Sequence, residues 1–225
     1  MKETIFDNIP VKANSEKFLK AFYINNSEDE SKLTDMIKEA ENIVNPKGVY
    51  KESFIQEISA EELLIDNISF KSSLLVNNLR DQETVFAFVI TVGHEIGKWA
   101  KNIEGLLEQY WAMKIQEDFL QQAVTYIFDK IEEEKQLGKM ATMNPGSINE
   151  WPISEQLKLF NLIGKVKVKV GVELTDNYLM LPSKSLSGFR FINKFNYVNC
   201  KLCTRVNCPD RRANYDENFY KDRYN

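Results

Sequence analysis

The sequence predicts an α+β fold, a single domain in which a central, mostly antiparallel sheet is flanked by long helices. Three observations carry that expectation. "ETVFAFVITVG" (Glu83 to Gly93) is an unbroken apolar run of strand length, rich in β-branched and aromatic residues, which suits a strand covered on both faces. From Glu95 to Leu137, apolar residues such as Trp99, Ile103, Tyr110, Ile115, Phe119 and Ile127 recur every three or four positions, the period of an amphipathic helix. Strand-like alternation lies on either side of these two segments, and no long polar linker divides the chain.

The elements follow in order. "NSEKFLKAF" (Asn14 to Phe22) and "EDESKLTDMIKEAENIV" (Glu28 to Val44) read as amphipathic helices, the second with Leu33, Met36, Ile37 and Ala40 on one face and an acidic first turn. "NPKG" ends the pattern. From Val49 to Phe70 the alternation predicts short antiparallel strands, and "SSLLVNNLRD" predicts a helix. After the long helical stretch, "ATMNPGSINEWP" (Ala141 to Pro152) gathers Pro and Gly into a connector. "ISEQLKLFNLIG" (Ile153 to Gly164) then predicts a short helix capped by Ser154 and closed by Gly164. "KVKVKVGVELTDNYLMLP" and "SGFRFI" read as strands. The expected organisation is residues 1–27 as an N-terminal helical segment, 28–192 as the α+β domain, and 193–225 as a Cys- and Tyr-rich tail packed on or extending from it.

Composition excludes several functions. At 225 residues, 43% hydrophobic and 12% aromatic, the chain is long and apolar enough to bury a core. A formal net charge of −4 argues against nucleic acid as a partner. The apolar run at Val85 to Val92 is far short of a membrane span, so no membrane partner is expected. "MKETIFDNIP" has acidic residues where a secretion signal needs an apolar core, and three cysteines cannot build a disulfide framework, so the expected location is cytoplasmic. Oligomeric state leaves no trace in the sequence.

Candidate chemistry is sparse. His94, the only histidine, stands in "TVGHEIG" where a strand meets a helix, a place that often faces ligands; a solvated helix-start residue is the plainer reading. The acidic groups Glu117-Asp118 and Glu132 to Glu134 read as solvated helix faces. Cys200, Cys203 and Cys208 are spaced C-x2-C-x4-C, which aims two thiolates at one ion and makes zinc or an iron–sulfur cluster a candidate. A closed site wants a fourth ligand, and no fourth cysteine exists; three reduced thiols in a tail are the alternative.

An ordered series of motifs then comes into view. Pro145-Gly146, a helix, Gly171 to Asp176 ("GVELTD"), Met180 to Pro182, and Ser185 to Gly188 ("SLSG") follow one another. Together with "NPKGVYKESFIQEI" and "LRDQETVFAFVITVG", they make roughly residues 30 to 210 resemble the activation (reactivation) domain of cobalamin-dependent methionine synthase, and more so its short stand-alone relatives from anaerobes. The resemblance implies a shallow groove for S-adenosylmethionine. It also implies a cobalamin held by a partner, a corrinoid protein or cobalamin-dependent methyltransferase, that is reductively methylated. Such a role needs positioning more than acid–base groups, so whether the chain is itself an enzyme stays open.

The resemblance also places the ligand contacts. Aligned on Gly146, the family's carboxylate-binding arginine falls at Thr142, its backbone-contact alanine at Asn144 and its loop tyrosine at Ser147. The helix acid that meets the ligand's amino group falls near Gln122, and Tyr197 supplies the late tyrosine after a one-residue slip. Threonine in place of arginine removes a charge-assisted contact of about 1.5–3 kcal/mol. Three functions therefore remain: S-adenosylmethionine-linked maintenance of a corrinoid, a corrinoid-protein docking module that has lost the methyl donor, or a metal- or iron–sulfur-binding accessory protein.

Overall fold

A computed structural model describes residues 2–194, 196–208 and 211–219. Its centre is β5 (Thr84–Thr91), and every residue of it after the first is buried. Phe86, Phe88 and Ile90 point to one side and pack on Ile127 and Ile131 of the long helix α5 (Leu106–Lys135). Val85, Ala87 and Val89 point to the other. There they join α3 (Ser73–Leu79) and α6 (Gln156–Ile163) through Leu75, Leu79, Leu159 and Leu162. A side chain alternates faces along a strand, so an unbroken apolar run is what a strand between two helical layers requires.

The other strands pair around β5, every pair antiparallel. β2 (Lys47–Ile58) lies on one side of it and β9 (Ser185–Ile192) on the other. Beyond β2 come β3 (Glu62–Ile65) and β4 (Ile68–Lys71), and β6 (Met140–Met143) pairs with the far edge of β9. β2 serves two neighbours on its outer side, because β1 (Glu3–Phe6) pairs with its first half and β3 with its second. Outside the sheet, α1 (Ser15–Ala21), α2 (Ser27–Ile43) and α4 (His94–Lys101) pack on the first half of α5. Asn14, Asn26 and Ser72 each accept a backbone N–H at a helix start, as capping residues do.

Several expectations are corrected. The first 27 residues are not purely helical, since β1 opens the chain and joins the sheet. The helical stretch from Glu95 breaks between α4 and α5, with Gly105 at φ 90°. Met140 to Met143, read as the end of a helix and the start of a connector, are strand β6. Ser154 lies inside a 3₁₀ turn, Ile153–Glu155, and caps nothing. "KVKVKV" forms helix α7 (Val166–Val170) instead of a strand. Val166 and Val170 are four apart and share a face at either period, and here both are buried while Val168 is 83% exposed. The left-handed residues Gly164 and Lys165 turn the chain into this helix. β7 (Glu173–Leu174) and β8 (Met180–Leu181) follow as a small separate hairpin. The described part of the tail packs on the domain through buried Tyr197 and Phe219, with α8 (Asn199–Leu202) between them.

Candidate functional site

The loop after β6 owes its shape to backbone and apolar contacts. Gly146 adopts φ 79° and its N–H donates to the Trp151 carbonyl (2.8 Å), closing Pro145 to Trp151 into a compact turn. Trp151 is fully buried and stacks on Phe189 of β9, ring centres 5.3 Å apart. Gly188 beside it is required by proximity, since a Cβ there would lie 2.2 Å from the Met143 carbonyl oxygen. That closeness lets Asn144 Nδ2 donate to the Ser187 carbonyl (2.7 Å), tying the loop to the "SLSG" segment. Ser187 in turn donates to Gln156 on α6 (3.0 Å). The Pro-Gly motif, the following helix and the Ser-x-Ser-Gly motif thus meet at one end of the sheet.

The tail closes over this loop. Tyr197 is held by Asn193 through its backbone N–H (2.7 Å), and its hydroxyl donates to Asn199 Oδ1. Asn199 Nδ2 then donates to Asn144 Oδ1 (3.3 Å) and Ser147 Oγ (3.1 Å). Between loop and tail lies a cavity of about 510 Å³ whose walls include Gly146, Ser147, Cys203, Arg205 and Tyr215. Asn144, Gly146, Ser147 and Tyr197 are therefore brought together around one polar network.

Thr142 and Gln122 are not part of that network. Thr142 pairs across the sheet with Arg190, whose Nη1 donates to its hydroxyl (3.0 Å). Arg190 also donates to Glu132 of α5 and lies 4.2 Å from the centre of the Phe128 ring. Burial pushes the Arg190 pKa down, and Glu132 pulls it back. Gln122 stands ten residues before Glu132 on α5, about 15 Å along the helix axis. There its amide grips Lys12, accepting the Lys12 N–H (2.9 Å) and donating to the Lys12 carbonyl (3.0 Å). It anchors the N-terminal segment. Arg190 was missed by sequence reasoning; its signal was one arginine inside the apolar strand "SGFRFI".

The cysteines are not gathered as the spacing anticipates. All three are free thiols, and among the described residues no three His, Cys, Asp or Glu side chains converge to hold a metal ion. The Arg211 guanidinium donates to the carbonyls of Cys200 (3.0 Å) and Cys203 (3.2 Å), and to that of Arg205. Arg211 thus ties together the backbone of the turn that carries Cys200 and Cys203. Burial opposes ionisation of Cys200, but the Arg212 backbone N–H (3.4 Å) and its positive charge outweigh this and lower the thiol pKa. His94 is also accounted for structurally: Nε2–H donates to the Gly171 carbonyl (2.8 Å). Of the acidic helix groups, Glu117 pairs with Lys114 and Lys184, and Glu132 with Arg190. They are more engaged than a solvated face would be.

These features define a class: the chain has the fold of the methionine synthase reactivation domain, with its Pro-Gly loop against a Ser-x-Ser-Gly strand. The particular likeness is to the crystal structure of the MetH reactivation domain bound to AdoHcy. It has a TM-score of 0.63 and 14% sequence identity, and covers 88% of this chain and 80% of that one. At that identity the likeness is one of fold. No protein-family model and no curated protein sequence matches the chain. Among the described residues no helix is long and apolar enough to cross a membrane.

Proposed function

We propose that this protein binds an S-adenosyl ligand at the Pro145–Gly146 loop and serves the reductive methylation of a corrinoid carried by a partner methyltransferase. The observation that carries the reading is the convergence of Asn144, Gly146, Ser147 and Tyr197 at the sheet end, within a fold whose solved counterpart holds AdoHcy. Once an external one-electron donor has reduced the partner's corrinoid to its nucleophilic form, S-adenosylmethionine would supply a methyl cation equivalent from its sulfonium, leaving a thioether. The chain's own share is to bind and orient. Gly146 and Gly188 let the loop close on Ile153 and on Met143, and Asn144 and Ser147 offer polar atoms to the ligand.

Isothermal titration with S-adenosylmethionine tests the reading, first alone and then with a corrinoid protein present. Measurable heat is expected at micromolar to millimolar ligand, and its absence at millimolar concentration sinks the reading. A second reading is favoured by one contact. Asn199 already engages the side chains of both Asn144 and Ser147, so the loop's polar atoms have a partner within the chain. On that reading the protein docks to a corrinoid protein without the methyl donor. Heat with corrinoid protein but none with S-adenosylmethionine favours the second reading, and heat with both favours the first.

A further inference from the structure

We infer that the cavity between α4, α5 and the β7–β8 hairpin is a second ligand site, suited to a nucleoside diphosphate and separate from the Pro145–Gly146 loop. It measures about 870 Å³, against about 510 Å³ at the loop, and the two share no lining residue. Small-molecule sites hold roughly 300–1,000 Å³. The charge of the lining is one-sided. Lys98 and Lys101 stand three apart on α4, share a face, and have no ion pair among the described residues. Lys184, also in the lining, shares the Glu117 carboxylate with Lys114, so one anion serves two cations. Glu173, the acidic side chain of the lining, is taken by Lys167. On a chain of net charge −4, this local excess of cations attracts an anion of more than one charge.

Two further features point to a ligand with a body behind its charge. Gln116 lines the cavity and is only 6% exposed. Its Nε2 donates back to the Ala112 carbonyl of its own helix, and its Oε1 accepts no hydrogen bond among the described residues. An open amide oxygen on a buried side chain calls for a donor, and a sugar hydroxyl or a base N–H supplies one. Gly97 sits inside α4, where glycine weakens a helix relative to alanine, yet a Cβ built on it meets no atom within 4 Å. No packing inside the chain requires this glycine; its missing side chain widens the cavity, whose apolar surface comes from Met113, Leu181 and Pro182. A phosphate head for the lysines, a hydroxyl or N–H for Gln116 and a ring for the apolar surface together make a nucleotide. S-Adenosylmethionine suits this cavity badly, because its sulfonium is a cation among lysines.

The test is isothermal titration of the full chain with uridine 5′-diphosphate, uridine and inorganic pyrophosphate, none of which carries an adenosyl group. The diphosphate should bind at least about tenfold more tightly than either fragment. Replacing both exposed lysines, Lys98→Gln with Lys101→Gln, should weaken it at least about tenfold. Gly97→Leu should abolish binding by filling the cavity, while its unfolding midpoint holds or rises because leucine favours a helix. Lys130→Gln, further along α5 in a local pair with Glu133, should change nothing. Should Gly97→Leu lower the midpoint, the lysine pair decides: lost binding supports the site and retained binding overturns it. No heat with the diphosphate at millimolar concentration overturns the proposal. Pyrophosphate that binds equally well also overturns it, since surface lysines alone would then explain the affinity. Displacement of the diphosphate by S-adenosylmethionine would put both in one site and overturn it too. Absence of S-adenosylmethionine binding bears on the loop alone.

Discussion

The two faces of the sheet do different work where β6 and β9 meet. On the α6 face, Trp151 stacks on Phe189, and the forces are packing and burial. On the α5 face, one residue along, Arg190 stands between Thr142, Phe128 and Glu132, and the forces are charge and directed hydrogen bonds. Alternation along β9 sends Phe189 and Arg190 to opposite sides, so one strand supplies both. The comparison teaches that one strand can serve two layers held by different forces. Each can be altered alone.

The largest break is expected from Trp151→Ala. It empties a fully buried site and removes a ring stack, which should cost about 3–5 kcal/mol, read as a lower midpoint in urea unfolding. Gly188→Ala comes next, since the new methyl group meets backbone at Met143. About 1–3 kcal/mol is expected, with hydrogen exchange quickening in β6 before the rest of the sheet. Asn199→Ala should cost about 1–2 kcal/mol through the bonds lost to Asn144, Ser147 and Tyr197; tail resonances should shift in NMR while those of β5 stay.

The charged face should respond differently. Arg190→Met removes the buried guanidinium but keeps contact with Phe128, and Glu132 can turn to water. The midpoint should therefore move by less than about 1 kcal/mol in either direction. A larger loss would mean the pair exists for stability. The smallest effect belongs to Glu134, two residues from Arg190's partner on α5. Hydrogen bonds from Lys2 and then Tyr50 lower its pKa from 4.5 to about 2. A depressed carboxylate stabilises the fold above its ordinary pKa, and that contribution fades as pH falls from about 4.5 toward 2. Lys2→Ala should raise the Glu134 pKa in a carboxyl NMR titration and flatten the stability slope in that window.

Legibility followed the same division. β5 and the Gly146 turn could be read directly, because an eight-residue apolar run and a Pro-Gly pair each have few local solutions. α7 could not, because Val166 and Val170 satisfy the strand and helix periods equally. Strand β6 was hidden for another reason: four residues carry little pattern, and only pairing with β9 makes them a strand. The site divided likewise. Asn144, Ser147 and Tyr197 lie on one hydrogen-bonded network around Asn199, while Gln122 grips the N-terminal segment. The cysteine spacing was plain, but nothing in it revealed that Arg211 binds the carbonyls of Cys200 and Cys203.

What the sequence determined by itself is the part written in neighbours along the chain: the buried central strand, the amphipathic helices, and the Pro-Gly turn of the loop. These depend on periodicity and backbone sterics, which act over a few residues. What only the tertiary structure decided is where the buried charge sits. Arg190 and Glu132 are 58 positions apart, and Thr142 reaches Arg190 only through the register of two strands. A salt bridge between remote segments has no local signature, because the partner is chosen by the packing of α5 on the sheet.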